Sequence, residues 1–171
     1  MTPQRALAGF IAKFTPQVAA VADEALAKLR ARLPGAVELV SDNSHALAIG
    51  FAPAEKASEV IFSIALSPRG VSLFFLQGAK LEDPKHLLRG DGKTARHLVL
   101  EDASDLEMPG VRALITAALE TAKRPIDPKN ANRIVIKSVS KKQRPRRPRG
   151  EAARPAKKAH PRPRAAGRRP K

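Results

Sequence analysis

Apolar residues recur first with the period of a helix. After Thr2-Pro3, Leu7, Phe10, Ile11 and Phe14 fall at i, i+3, i+4 and i+7, the spacing of one helical face. After Thr15-Pro16, Val18, Val21, Ala22, Ala25, Leu26, Leu29 and Leu33 form a longer stripe. In each pair Thr supplies an N-cap oxygen and Pro stands where its missing N–H costs nothing. Lys28, Arg30 and Arg32 enrich the last turns of the second stripe, favourable at the negative end of the helix dipole. Pro34-Gly35 then stops it. Two helices are predicted to open the chain.

The period then shortens to two. Ala36–Val40 is a short strand candidate, and next His45, Leu47, Ile49 and Phe51 share one face, with Ala46, Ala48 and Gly50 on the other. Glu59–Leu66 and Val71–Leu76 are the clearest strands. Ser67-Pro68-Arg69-Gly70 between them fits a type I turn, which predicts an antiparallel hairpin. Both strands carry apolar residues on both faces, so this pair is expected to be central and covered. A loop from Gly78 to Gly92 has room for a helical turn near Pro84–Leu88, and Ala95–Leu100 reads as a further strand. After Pro109, Val111, Leu114, Ile115, Ala118, Leu119 and Ala122 give the strongest helical stripe, ended by Pro125. Arg133–Val139 alternates as a closing edge strand, blunted by Arg133 and Lys137. The order predicts an α+β fold: N-terminal helices, a largely antiparallel sheet of about five to six strands, a C-terminal helix and an edge strand.

Composition changes the picture at the C-terminus. Of 171 residues, 32 are Lys or Arg and 16 Asp or Glu, a formal charge of +16. Residues 141–171 hold fourteen basic residues against Glu151 alone, while residues 1–140 hold eighteen against fifteen acids. From Lys141 onward six Pro and six Ala interleave with the cations, and no Leu, Ile, Val, Phe or Met remains. Such a stretch cannot bury enough surface to offset chain entropy. A domain over 1–140 and a disordered tail over 141–171 are therefore expected. The absence of Cys excludes disulfides, thiolate metal sites and a cysteine nucleophile. No apolar run is long enough for a membrane span. Met1-Thr2-Pro3-Gln4-Arg5 lacks the order of a signal peptide, so a cytoplasmic location is expected.

Several stretches together resemble a known family. Gly70-Val71-Ser72-Leu73-Phe74-Phe75-Leu76, then Leu81-Glu82-Asp83-Pro84, then Leu87 through His97, are similar to the YdhG-like family of small bacterial domains of unknown function (DUF1801). Asp42-Asn43 before the Ala46–Phe51 strand fits, as does Ile134 through Arg147. The resemblance spans roughly residues 5–147. It implies a small α+β sandwich with no established general activity; some members are described as iron chaperones by their likeness to frataxin. Ser44-His45 departs from the aromatic-Asn pair expected there, which alters the chemistry of any pocket that stretch lines.

Candidate chemistry in the domain is sparse. Gly92-Lys93-Thr94 invites a phosphate-loop reading, but the required first Gly is Leu87 and a strand follows in place of a helix. The plainer reading is a turn using positive φ at Gly90 or Gly92. Lys93, Arg96 and His97 cluster, but in a strand Arg96 and His97 point to opposite faces, so one of the two at most joins Lys93, and with Asp42 and Asn43 they make the candidate anion or ligand pocket. The plainer reading is an Arg satisfied by an acid such as Asp91 or Asp83, and an anion-binding cleft lined by Lys93 and Arg96 is the sharper alternative. Of the four histidines, His45, His86, His97 and His160, none has close metal-ligand spacing. Glu82, Asp83 and His86 could offer donors but read as a solvated loop, and no metal or cofactor is assigned. Asp102, Asp105 and Glu107 are expected to favour the start of the last helix. No catalytic constellation stands out; Ser72 reads as a packed hydroxyl, so an enzyme is not the expected class.

The tail carries the clearest functional signal. Lys141, Lys142, Arg144, Arg146, Arg147, Arg149, Arg154, Lys157, Lys158, Arg162, Arg164, Arg168, Arg169 and Lys171 form a dense cation suited to a nucleic-acid phosphate backbone. With no aromatic present, base stacking has no platform. Arg147–Glu151 and Gly167–Pro170 resemble broken AT-hooks, neither with an intact Arg-Gly-Arg core. No apolar anchor accompanies the charge, so membrane binding is not expected. The expected function is non-enzymatic, non-specific nucleic-acid binding through the tail. The alternative is a small-ligand or iron carrier in which the tail is incidental.

Overall fold

The computed structural model describes residues 1–149. Two helices, α1 (Pro3–Ile11) and α2 (Pro16–Arg32), open the chain. Thr2 and Thr15 cap them as their sequence predicts: the Thr2 hydroxyl accepts the Arg5 N–H at 3.2 Å, and that of Thr15 accepts the Val18 N–H at 3.4 Å. Strands β1 (Val37–Asp42), β2 (Leu47–Ala52), β3 (Phe62–Ser67), β4 (Gly70–Phe75) and β5 (Arg96–Leu100) follow, then α3 (Pro109–Thr121) and β6 (Arg133–Val139). The fold is α+β, with one six-stranded sheet in the order β5-β4-β3-β2-β1-β6. Neighbours β1 to β5 pair antiparallel, and β6 pairs parallel with β1, from Val37 opposite Arg133 to Asp42 opposite Val139.

Strand parity decides where the core sits. Leu47, Ile49 and Phe51 on β2, Phe62, Ile64 and Leu66 on β3, and Val71, Leu73 and Phe75 on β4 are all buried beneath the helices. Phe51, Phe62 and Phe75 stand opposite one another on adjacent strands, with ring centroids 5.5 and 6.2 Å apart. Each pair adds about 0.5–1.5 kcal/mol beyond its buried area. The helices answer with Leu7 and Ile11, then Ala22, Ala25, Leu26 and Leu29, then Val111, Leu114 and Ile115.

The central strands are covered on one face, not on both. The alternate positions Ser63, Ala65, Ser72 and Phe74 are only half-buried: three of them are small side chains that recruit no second layer, and Phe74 is covered by His97 alone on its β5 side. A groove of about 430 Å³ runs over this face, floored by Ala48, Gly50, Ser63 and Ala65. Several boundaries also differ from the sequence reading. Glu59 ends a short 3-10 turn (Ala57–Glu59), and β3 begins only at Phe62. His45 lies exposed in the β1–β2 turn, off the buried face of β2. α3 ends at Thr121, ahead of Pro125. Asp102 and Asp105 do not serve α3. Their carboxylates cap the preceding 3-10 segment (Ala103–Glu107), accepting the N–H groups of Ser104 at 2.8 Å and Glu101 at 2.9 Å. Glu107 instead pairs with Lys28 of α2 at 2.8 Å.

Candidate functional site

The five residues grouped as a pocket by the sequence do not meet. Asp42 and Asn43 lie at the end of β1, while Lys93, Arg96 and His97 lie at and before β5. Three strands stand between, so at about 4.8 Å per strand the two groups are about 19 Å apart. Within the second group the side chains also diverge. His97 stacks on Phe74 across the β4–β5 pair, centroids 4.9 Å apart, on the open sheet face. Arg96 Nη1 donates to the carbonyls of Gly92 and Ala95, closing its own turn and pairing with neither Asp91 nor Asp83. Lys93 is exposed. The Asp83 carboxylate accepts the N–H groups of Leu87 (2.9 Å) and Leu88 (2.8 Å), so it is committed to the loop. His86 holds that loop with a φ of 53°. Among the described residues no three His, Asp or Glu gather to hold a metal ion. His160 lies outside them.

What does assemble is a cluster around Asp42. Residues 38, 40 and 42 of β1 face the helices, which buries two acids, Glu38 and Asp42. A buried carboxylate needs a paired cation and donors. Glu38 receives Arg30 in a two-pronged contact, Nε at 2.6 Å and Nη2 at 2.8 Å. Asp42 receives two cations from opposite ends of the chain. Lys13, just after α1, donates to Oδ2 at 2.8 Å, and Arg146 donates through Nη2 to Oδ1 at 2.7 Å. The same Nη2 meets the Asn43 carbonyl. Gln143 bridges the site, accepting from Lys13 and donating to the Asp42 carbonyl. The Arg146 guanidinium also lies over the Phe14 ring, 5.6 Å from its centroid, a cation–π contact strengthened by burial.

Burial opposes the charged form of Asp42. Hydrogen bonds from Lys13 and Gln143, with the charges of Lys13 and Arg146, outweigh it and hold the pKa below the ordinary carboxylate value. Arg146 is buried; its Nε and Nη1 have no hydrogen-bond partner among the described residues.

This cluster changes the reading of the first nine tail residues. Residues 141–149 run back over the domain: Ser140 N–H donates to the Asp42 carbonyl at 2.8 Å, and Arg144 N–H to that of Ser44 at 2.8 Å. Arg147 reaches the carbonyls of Lys13 (3.3 Å) and Ala12 (3.4 Å) at the end of α1, the negative pole of that helix. Arg146 is therefore an internal anchor and not a free cation. Lys141, Lys142, Arg144, Arg147 and Arg149 remain exposed around it. Arg154, Lys157, Lys158, Arg162, Arg164, Arg168, Arg169 and Lys171 lie outside the described residues. One signal in the sequence points this way: strand parity places Asp42 with Val40 on the covered face, and a covered acid demands a cation from elsewhere.

No family model, curated protein or solved structure matches the chain. No described helix is long and apolar enough to cross a membrane.

Proposed function

We propose that this chain is a non-enzymatic, cytoplasmic nucleic-acid-binding protein built on a YdhG-like domain, which its C-terminal cations hold on a phosphate backbone without reading bases. The observation that carries this reading is the segregation of charge, fourteen Lys and Arg against one acid in the last thirty-one residues. The Arg146 anchor supports it further. It fixes the start of the basic segment on the fold and leaves five cations facing outward. The neighbouring acid, Asp42, is fully buried, so it does not compete for a polyanion at the surface. Cations of this density act by counterion release, which makes affinity steep in salt and tolerant of sequence.

Fluorescence anisotropy on a duplex DNA and a hairpin RNA, repeated at several salt concentrations, tests this. The full chain is compared with a chain ending at Arg149, which keeps the anchor, and with a full-length chain whose eight basic residues beyond 149 are Gln. Both variants are expected to bind more weakly with a shallower salt slope, by about 0.9 for each duplex phosphate no longer neutralised. Equal affinity and slope in all three would overturn the reading.

The iron-carrier alternative finds no converging donor set among the described residues. An organic ligand is a separate matter, because a half-buried acid, Glu59, lines one cavity without a hydrogen-bond donor of its own.

A further inference from the structure

Between the β3–β4 end of the sheet and the C-terminal turn of α3 lies a second cavity, of about 400 Å³. Its floor is apolar: Ile61 just before β3, Phe75 from β4 and Ala118 from α3, all buried, and the half-buried Leu81. Into it projects Glu59, with a side chain only 16 % exposed. Its Oε1 lies 3.6 Å from Arg124 Nη2, too far for a hydrogen bond. Its Oε2 is buried and has no partner among the described residues. That oxygen has lost its water without gaining a donor, which proteins rarely tolerate, while Oε1 keeps its access to solvent and only a loose ion pair. The Arg30–Glu38 and Lys13–Asp42 contacts, at 2.6 to 2.8 Å, show how this same fold satisfies a buried acid when the partner is its own.

The rim supplies the opposite charge. Arg124, Lys80 and Lys123 line the cavity, and all three are exposed. A simple organic cation would meet Glu59 but be repelled by that rim. A simple anion would meet the rim and leave Glu59 unmet. A molecule bearing both charges close together on an apolar body meets all three parts. The volume lies within the range of small-molecule sites.

We propose that this cavity binds a hydrophobic α-amino acid. The ammonium donates to Glu59 Oε1, the oxygen that is not sealed from solvent, the carboxylate takes the Arg124 guanidinium, and the side chain lies on Ile61, Phe75 and Ala118. The two charges of an α-amino acid hang on one carbon, matching a carboxylate and guanidinium whose nearest atoms are 3.6 Å apart. The site is remote from Arg146 and Asp42 in the sheet order and does not depend on the tail.

Isothermal titration of the full-length protein with L-phenylalanine and L-leucine tests it, alongside the amine and the acid that each lack the other charge. Saturable one-to-one binding is expected for at least one amino acid, with its half-charged analogues about tenfold weaker or worse. Glu59→Gln, nearly isosteric, is expected to weaken binding about tenfold, as is Arg124→Gln on the exposed rim, since each removes a charge-assisted hydrogen bond. The melting temperature of Glu59→Gln without ligand is expected to equal or exceed that of the parent, so loss of binding is separable from misfolding. No saturable binding by either amino acid would overturn the proposal. So would an acid analogue that binds as well as its amino acid, which would place the contact on exposed cations such as Lys80 and Lys123 alone. Unchanged affinity in Glu59→Gln would do the same.

Discussion

Arg146 reaches back across 104 positions to place its Nη2 2.7 Å from Asp42 Oδ1, with both side chains almost wholly out of solvent. The acid ends an interior strand and the base stands in a segment without a single large apolar side chain. One guanidinium, shared between a carboxylate, a backbone carbonyl and the face of Phe14, does what a hydrophobic plug does elsewhere.

Breaking that contact from either side is expected to destabilise the fold. Arg146→Ala leaves Asp42 buried with Lys13 as its remaining cation, and on the order of 3 kcal/mol is expected from urea unfolding. Asp42→Asn strands the guanidinium and is expected to cost a similar amount. The double variant is expected to cost clearly less than the two together, because the second change removes the group the first left unpaired. Additive costs would mean that the two residues are not coupled.

The same pair gives stability a dependence on acid. The folded pKa of Asp42 is depressed: burial raises it, but the hydrogen bonds from Lys13 and Gln143 and the nearby positive charges lower it further. Its contribution is therefore complete above the unfolded value of about 3.9 and is lost as the pH falls through the folded value. The difference in urea midpoint between the parent and Asp42→Asn is expected to be constant above about pH 5 and to shrink below about pH 4. A difference unchanged in strong acid would contradict the depressed value.

Cations in the basic segment are not equivalent. Arg149→Gln removes an exposed charge and is expected to lower the salt slope of duplex binding by about 0.9. Arg146→Gln removes one already engaged by Asp42 and is expected to leave that slope unchanged wherever the protein stays folded. Anisotropy at four or five salt concentrations separates the two; equal slopes would mean that Arg146 leaves its carboxylate for phosphate.

Two glycines are expected to respond in opposite directions. Gly35 has a φ of +87°, and a Cβ there would fall 1.8 Å from the Asp127 carbonyl oxygen. Its N–H also donates to Asn132 Oδ1 at 2.6 Å, tying the end of α2 to the approach to β6. Gly35→Ala is expected to cost well over the roughly 1–2 kcal/mol of a left-handed alanine. Gly9, inside α1, has nothing within 4 Å of the point where a methyl group would stand, so Gly9→Ala is expected to stabilise by up to about 1 kcal/mol. Thermal melts of both variants check the pair.

Local physics is legible in the chain, and distant pairing is not. The Thr-Pro caps, the helical stripes and the Ser67–Gly70 turn are short-range features, and each element stands close to where its residues put it. The parallel seat of β6 beside β1 depends on which sheet edge the chain returns to after α3, and alternation alone carries no such information. Apolar content likewise hides the return of 141–149 to the domain, because a single buried arginine leaves no mark in hydropathy. Asp42 and Asn43 join Lys93, Arg96 and His97 only while the strand order is unknown; that order interposes three strands. The apolar run that follows Glu59 draws it into a strand, and its unmet oxygen emerges only once the turn before β3 is seen.

The parallel pairing of β1 with β6 bears on how the molecule is made. Val37 meets its neighbour Arg133 nearly a hundred residues later, and Asp42 waits longer still for Arg146. A nascent chain leaving the ribosome in order can build β1 through β5 early, but one flank of β1 stays open until the last strand emerges. Such long-range closure slows folding. The acid at the end of β1 would keep its water until then, so the guanidinium's arrival reports that synthesis of the fold is complete.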